Sequence, residues 1–366
     1  MRLGRHLPDP VAPRAKAPHS KAPGPVALAA ATLAAALLGA FLFRALHLPL
    51  AAILGSLTGA TLVANTLGIL PGGRYIRRGG QIFVGASVGA VLSPDLLGVL
   101  SSLLPHMTGI ALVSNLTGFC LAYPLARIAG IDRLTAVLCS LPAGMAEMAT
   151  LAQELEADEQ AVALVHTLRV ILVLSLIPLW LSLVAKTAQP PPPLAGTAGL
   201  PEILGLAAVS GLVAAVATRL RVVNAYIIAP MLLCVAIVSL GHRLPPVPPL
   251  LLFGAQVAIG TSLGLRFRLD RLRRLPRVAL GGLLCGLALI GIAFIGLAPL
   301  AERLGEVDHV SAILSVAPGG LGEMIASAGT LGLLAAVVAG FQLTRTISTN
   351  LLAPPLIRWA VKRAHN

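Results

Sequence analysis

A chain of 366 residues, 57% hydrophobic and only 11% charged, has too few polar side chains to clothe a water-soluble domain, which ordinarily carries about 25% charged residues. Its formal charge of +13 invites a nucleic-acid partner, but most arginines stand in short loops between apolar runs, where they orient helices in a bilayer. A soluble enzyme domain and a nucleic-acid partner are both excluded, and lipid is the solvent. Few aromatics and abundant Leu, Ala, Val and Gly predict helices that approach closely in a compact bundle.

In chain order, residues 1–25 form a Pro-rich arm with Arg2, Arg5, Arg14, Lys16 and Lys21, read as a disordered basic cytoplasmic tail. No convincing cleavage site precedes Arg44, so the apolar run from Val26 is expected to remain as the first spanning helix. Six apolar segments occupy about 26–46, 48–70, 80–103, 107–128, 133–153 and 161–185. Six more occupy about 201–218, 222–241, 249–265, 278–300, 309–330 and 333–357. Most approach the roughly 20 residues that cross about 30 Å of hydrocarbon. Residues 188–200, with the Pro190–Pro193 run, form a linker between membrane repeats at 26–187 and 201–362. Cys120, Cys139, Cys234 and Cys285 lie in or against apolar segments with no CxxC pair, which suits embedded hydrophobes better than a disulfide or metal role.

The two halves are copies of one unit. Gln81-Ile-Phe-Val-Gly-Ala-Ser-Val-Gly89 matches Gln256-Val-Ala-Ile-Gly-Thr-Ser-Leu-Gly264 at an offset of 175. Leu141-Pro-Ala-Gly-Met-Ala-Glu-Met148 matches Ala317-Pro-Gly-Gly-Leu-Gly-Glu-Met324 at 176, as do Asp132 and Asp308, Arg169 and Arg345, and Pro178 and Pro354. The fifth segment of each half holds Pro and Gly near its middle with a Glu among them. Such residues free backbone groups that protein or a water-filled cavity has to satisfy, so each fifth segment is a re-entrant hairpin or a broken helix.

Charge placement chooses the topology. If every segment crosses, Arg266, Arg268, Arg271, Arg273, Arg274 and Arg277 fall outside, against the positive-inside rule. If each fifth segment enters and leaves on one side, that cluster joins Arg74, Arg77, Arg78, Arg127, Arg133, Arg219 and Arg221 inside. Each half then crosses an odd number of times. The expected fold is an all-α membrane protein of about ten transmembrane helices in two inverted repeats, in a bacterial inner membrane, with both termini cytoplasmic.

An ionisable side chain at membrane depth is a functional hypothesis by default. Glu147 and Glu323 occupy matching places in the broken segments, where they either bind Na⁺ or a proton, or cap their own helices. Arg169 and Arg345 follow them by 22 residues and are expected either to meet a substrate's anionic group or to pair with those Glu residues. Gly144, Gly319 and Gly320 would keep the broken tips open to a ligand. Gln81 and Gln256 would bond a ligand or a neighbouring helix, and Asp132 and Asp308 are placed to cap helices. His166 lies one turn before Arg169, either beside the same cavity or as a packing residue. The eight histidines show no HxxxH or HExxH spacing, so no metal site is expected. No Walker A, nucleophile-elbow or dinucleotide motif is present, and no cofactor is expected.

LPAGMAEM at Leu141–Met148, APGGLGEM at Ala317–Met324, GQIFVGASVG at Gly80–Gly89 and the run Phe341–Trp359 carry a resemblance to the AbrB-type membrane protein family. That family also bears the labels ammonia monooxygenase and membrane regulator of gene expression. The resemblance covers nearly the whole chain from about residue 30. One departure is Gly55-Ser56-Leu57, where a Gly-Pro-Met is expected; the second half keeps Ala229-Pro230-Met231. By analogy with secondary transporters of similar repeat design, the expected function is transport of a small organic anion coupled to H⁺ or Na⁺, not enzymic. A membrane-embedded metabolite sensor that regulates genes indirectly is the alternative, and a metal-dependent oxygenase comes third. A homodimer is compatible with the Gly-rich faces. Topology is the expectation most directly checked. A cysteine placed between Arg271 and Arg277 should be blocked only by reagents that reach the cytoplasm, and labelling from outside would overturn the inverted arrangement.

Overall fold

The structure, a computed structural model, describes residues 24–48, 50–91, 94–184, 199–220, 222, 224–242, 244, 247–305, 307–330 and 335–365. The expected tail, up to residue 23, and most of the expected linker lie outside the described residues. The described elements are helices. The first half holds α1 (Pro25–Ala45), α2 (Ala51–Thr66), α3 (Gly73–Val91), α4 (Pro94–Ala129), α5 (Arg133–Ser140), α6 (Met145–Glu154) and α7 (Glu159–Val184). The second holds α8 (Leu200–Arg219), α9 (Ala225–Ser239), α10 (Pro249–Gly264), α11 (Leu269–Arg274), α12 (Pro276–Ile292), α13 (Ala298–Gly305), α14 (His309–Val316), α15 (Leu321–Thr330) and α16 (Ala335–His365). A π-helical turn, Ala293–Leu297, joins α12 to α13.

Among the described residues, six stretches are long and apolar enough to cross a membrane: Pro25–Ala45, Gly98–Ala129, Glu159–Ile177, Pro201–Arg219, Pro249–Arg274 and Pro276–Gly305. Four more helices pack among them and miss those criteria for physical reasons. The apolar helices α2 and α9 have 16 and 15 residues, roughly 24 and 22 Å at 1.5 Å per residue. Helices α3 and α16 are longer, but α3 carries Arg74, Arg77 and Arg78, and α16 carries a polar run from Gln342 to Asn350 that includes Arg345.

One boundary differs from expectation. The sequence places a break between residues 103 and 107, yet Pro105 and Pro124 both lie inside the continuous helix α4. The break falls before Pro94 instead, which starts α4 where a helix accepts proline best. An interior proline is tolerated in a membrane bundle because neighbouring groups satisfy the freed carbonyl.

Packing divides the helices into two bundles, each drawing on both halves of the chain. In one, α1 packs on α2, α2 on α10, α10 on α3, α3 on α9 and α9 on α8. In the other, α4 and α12 pack on each other, α4 on α16 and α12 on α7, with α5–α6 and α14–α15 tucked against α7 and α16. Every one of these contacts has its partner under exchange of the halves. The main contacts between the bundles run from α3 to α15 and α16, and from α10 to α15.

The repeated glycine motif explains the close crossings. A Cβ on Gly85 would overlap the Ile227 carbonyl oxygen, and one on Gly89 that of Met231. Correspondingly, Gly260 seats on the Ile53 carbonyl and Gly264 on that of Leu57. Glycines four apart let two backbones touch without a side chain between them. Gly85→Leu and Gly260→Leu should each lower the thermal midpoint in detergent, because overpacking costs about 1–3 kcal/mol. Gly109→Ala, whose Cβ would meet no atom within 4 Å, should hold or raise it, alanine being the better helix former by about 1 kcal/mol. Equal losses at all three positions would refute the crossing argument.

Candidate functional site

Each fifth segment is a pair of short helices joined by an unwound tip. Asp132 caps α5, accepting a hydrogen bond from the Thr135 amide at 2.9 Å, and Asp308 caps α14 through the Ser311 amide at 2.9 Å. Thr135 Oγ1 also accepts from the Asp158 amide at 3.1 Å. Asp158 follows α6, so the exit of the first hairpin closes on its entrance. The chain leaves helical geometry at Leu141–Gly144 and again at Ala317–Gly320.

An unwound tip strands carbonyl groups inside an apolar bundle, and an arginine meets each set. Arg169 Nη1 donates to the Leu141 carbonyl at 2.7 Å and Nη2 to that of Ala143 at 2.9 Å. Arg345 Nη1 donates to the Ala317 carbonyl and Nη2 to that of Gly319, the latter at 2.9 Å. Both arginines are almost wholly buried, at 3% and 4% exposure. Each puts a cation at the C-terminal end of a half-helix, where the backbone dipole favours it. The sequence suggests a substrate clamp or a Glu partner; the contacts add a third possibility, support of the tip.

His166 supports Arg169. Its Nδ1 lies 3.1 Å from Arg169 Nη2 and its Nε2 lies 2.8 Å from the Leu138 carbonyl. An arginine only donates and a carbonyl only accepts, so the ring is neutral with its proton on Nε2. Gln342 takes the same place beside Arg345. Its Oε1 accepts from Nη2 at 2.6 Å and its Nε2 donates to the Leu314 and Ala317 carbonyls at 2.8 and 3.0 Å.

The two tips meet at a cavity of about 100 Å³ between the bundles. Gly144, Gly319 and Gly320 line it, with Glu147, Glu323, Arg169 and Arg345. A Cβ on Gly144 or Gly320 would overlap the carboxylate of Glu147 or Glu323, each in the first turn of its helix and folded back over the tip. Glycine there leaves room for the carboxylate over the tip. From the other bundle come Arg77 on α3, Asn224 ahead of α9 and Arg266 just beyond α10. Gln81 and Gln256 are not among the lining residues; Gln81 is buried beside Gly322 on α15.

The matched carboxylates are not equivalent. Glu323, 1% exposed, accepts from Arg77 Nη2 at 2.8 Å, and its Oε2 has no partner among the described residues. Glu147 is half-buried and makes no hydrogen bond or ion pair among the described residues. The reason lies in the sequence: the position in α10 that corresponds to Arg77 is Leu252. Sequence reasoning placed Arg77 and Arg266 in orienting loops and missed both at the site, because a search for matched pairs passes over residues that one half lacks. Among the described residues no three His, Cys, Asp or Glu converge as metal ligands do.

Removing an arginine should unravel its tip. Arg169→Ala and Arg345→Ala are each expected to destabilise the protein by about 3–5 kcal/mol, as for a broken buried charged network. Arg169→Lys should recover little, since an ammonium lacks the fork that bridges two carbonyls. Thermal melts of purified variants decide this, and a wild-type midpoint in Arg169→Ala would refute the tip-support role.

Residues 59–361 match the family model described as "Transition state regulatory protein AbrB". The chain is 28% identical over 333 residues to the Escherichia coli (strain K12) protein named "Putative regulator AbrB", covering 87% of this chain and 92% of that one. It is 26% identical over 300 residues to "Uncharacterized protein YhjN" of Bacillus subtilis (strain 168), covering 76% and 77%.

Proposed function

The chain belongs to the AbrB family, and from that premise we propose that it is a secondary transporter of a small organic anion, coupled to H⁺ or Na⁺. The observation that carries this is the meeting of two broken tips, one from each repeat, at a single cavity between two helix bundles. Transporters built from inverted repeats bind their substrate at such a junction and alternate access by moving one bundle against the other.

In this reading α1, α2, α3, α4 and α7 cross the membrane in the first half, and α8, α9, α10, α12–α13 and α16 in the second. These are the six qualifying stretches and the four helices packed among them. Both hairpins are re-entrant, the repeats are inverted, and both termini lie in the cytoplasm of a bacterial inner membrane. Arg77 and Arg266, from chain segments 189 residues apart, line one cavity. The topology that puts both on the cytoplasmic side accommodates this.

Roles within the site follow from the contacts. Glu147 makes no ion pair among the described residues, and it binds the coupling ion. The substrate's anionic group is received by Arg77 and Arg266, aided by the positive N-terminal ends of α6 and α15. Glu323 holds Arg77 until the substrate arrives. Arg169 and Arg345 keep the tips in shape. The regulator names of the family and of its Escherichia coli relative point away from an enzyme. They also favour a second reading, a sensor that binds the same solute and does not move it.

Uptake of small labelled carboxylates into proteoliposomes under imposed pH or Na⁺ gradients tests the proposal. Glu147→Gln should abolish gradient-driven uptake and leave the thermal midpoint unchanged. Arg77→Ala should weaken binding by about tenfold or more, as the loss of a charge-assisted contact would. A bound anion at 100 times its Kd should stabilise the wild type by about 2.7 kcal/mol. Stabilisation without flux would establish the sensor, and full uptake in Glu147→Gln would remove that residue from the coupling role.

A further inference from the structure

The two repeats differ behind their arginines. Arg345 faces the main cavity and also a second, much smaller one, bounded by Ser114 on α4 and Ser315 on α14. Its volume of about 10 Å³ is close to what one water molecule needs. Ser315 Oγ and Arg345 Nε are buried without a hydrogen-bond partner among the described residues. So is Ser311 Oγ, four residues earlier on the same face of α14. All three residues are at most 4% exposed. An unbonded buried hydroxyl costs about 1–3 kcal/mol, so a series of them along one helix face points to a small ligand. That ligand has to accept from a guanidinium and also bond a hydroxyl. Water does both.

The first repeat lacks this polar series. Cys139 stands where the second repeat has Ser315, and the buried Cys285 lies on α12 nearby. Thr135, the counterpart of Ser311, bonds Asp132 and the Asp158 amide. Arg169 Nε is also without a partner, but the thiols around it are weak hydrogen-bonding groups.

We infer that the second repeat carries a file of water from the Asp308 end of α14, past Ser311 and Ser315, to the back of Arg345, and that the first repeat is dry at the equivalent place. With the repeats inverted as proposed above, the file opens on the membrane face opposite Arg77 and Arg266. Arg345 is then a fixed cation between two water-bearing spaces, letting water approach from both sides and opposing the passage of free cations.

Thiol reactivity tests this, because the first repeat supplies its own control. Single-cysteine chains would be made with the other native cysteines replaced by alanine, carrying Ser315→Cys, Ser311→Cys or the native Cys139 alone. Folded protein in lipid nanodiscs would be treated with methyl methanethiosulfonate, which attacks the ionised thiolate and therefore reports water access. The cysteines at 315 and 311 should react about tenfold or more faster than Cys139. Reaction as slow as that of Cys139 at both positions would overturn the water file. A cysteine replacing Thr167, which lines the main cavity, separates the two ideas. If it still reacts, the file fails and the cavity stands; if it does not, the cavity reading fails as well.

Discussion

Backbone polar groups freed at Leu141–Gly144 and Ala317–Gly320 lose their helical partners inside an apolar bundle and need others. Their carbonyls are met by the guanidinium groups of Arg169 and Arg345, and much of the architecture follows from this need. The arginines have to come from helices lying alongside the hairpins, so α7 and α16 run directly against α6 and α15. His166 and Gln342 then complete the hydrogen bonding of each arginine. Once the tips are held open without using up their glycines, those glycines and the neighbouring carboxylates can face a common space.

The pseudo-symmetry of the contacts makes the departures from it informative. The scaffold is duplicated faithfully in the glycine crossings, the capping aspartates and the tip arginines. The polar groups that would distinguish two faces of a membrane are not duplicated. Arg77 answers to Leu252, Ser315 to Cys139, and His166 to Gln342. A symmetric site would treat a solute the same way from either side, whereas unequal halves allow the two sides to differ in affinity and hydration.

Much of this was legible in the sequence. The repeat, the broken fifth segments, the capping aspartates and the junction of the two tips all rest on local patterns at a fixed spacing, which survive without three-dimensional knowledge. The bonding of Arg169 and Arg345 was not legible, because an arginine 22 residues from a glutamate suggests an ion pair and carbonyl groups leave no mark on a sequence. Arg77 and Arg266 were visible as charges but were read as orienting residues, since only the fold brings α3 and the end of α10 to one cavity. The break before Pro94 was displaced to Pro105 because proline is a weaker helix breaker among packed helices than in water. The division into two mixed bundles depends on contacts between residues far apart in the chain, such as Gly85 with Ile227 and Asn115 with Ser348, which no local pattern records.

The glycine seats have a consequence for biosynthesis. Helix α3 closes on α9 and α10 on α2 across the repeats, whereas α2 also seats on α1 within its own repeat, Gly39 against Gly55 and Gly59 against the Ala35 carbonyl. When the ribosome has delivered the first half, the glycine seats on α3 still lack their partner α9. The α1–α2 contact can therefore form early, but the seats on α3 are filled only after α9 has been made.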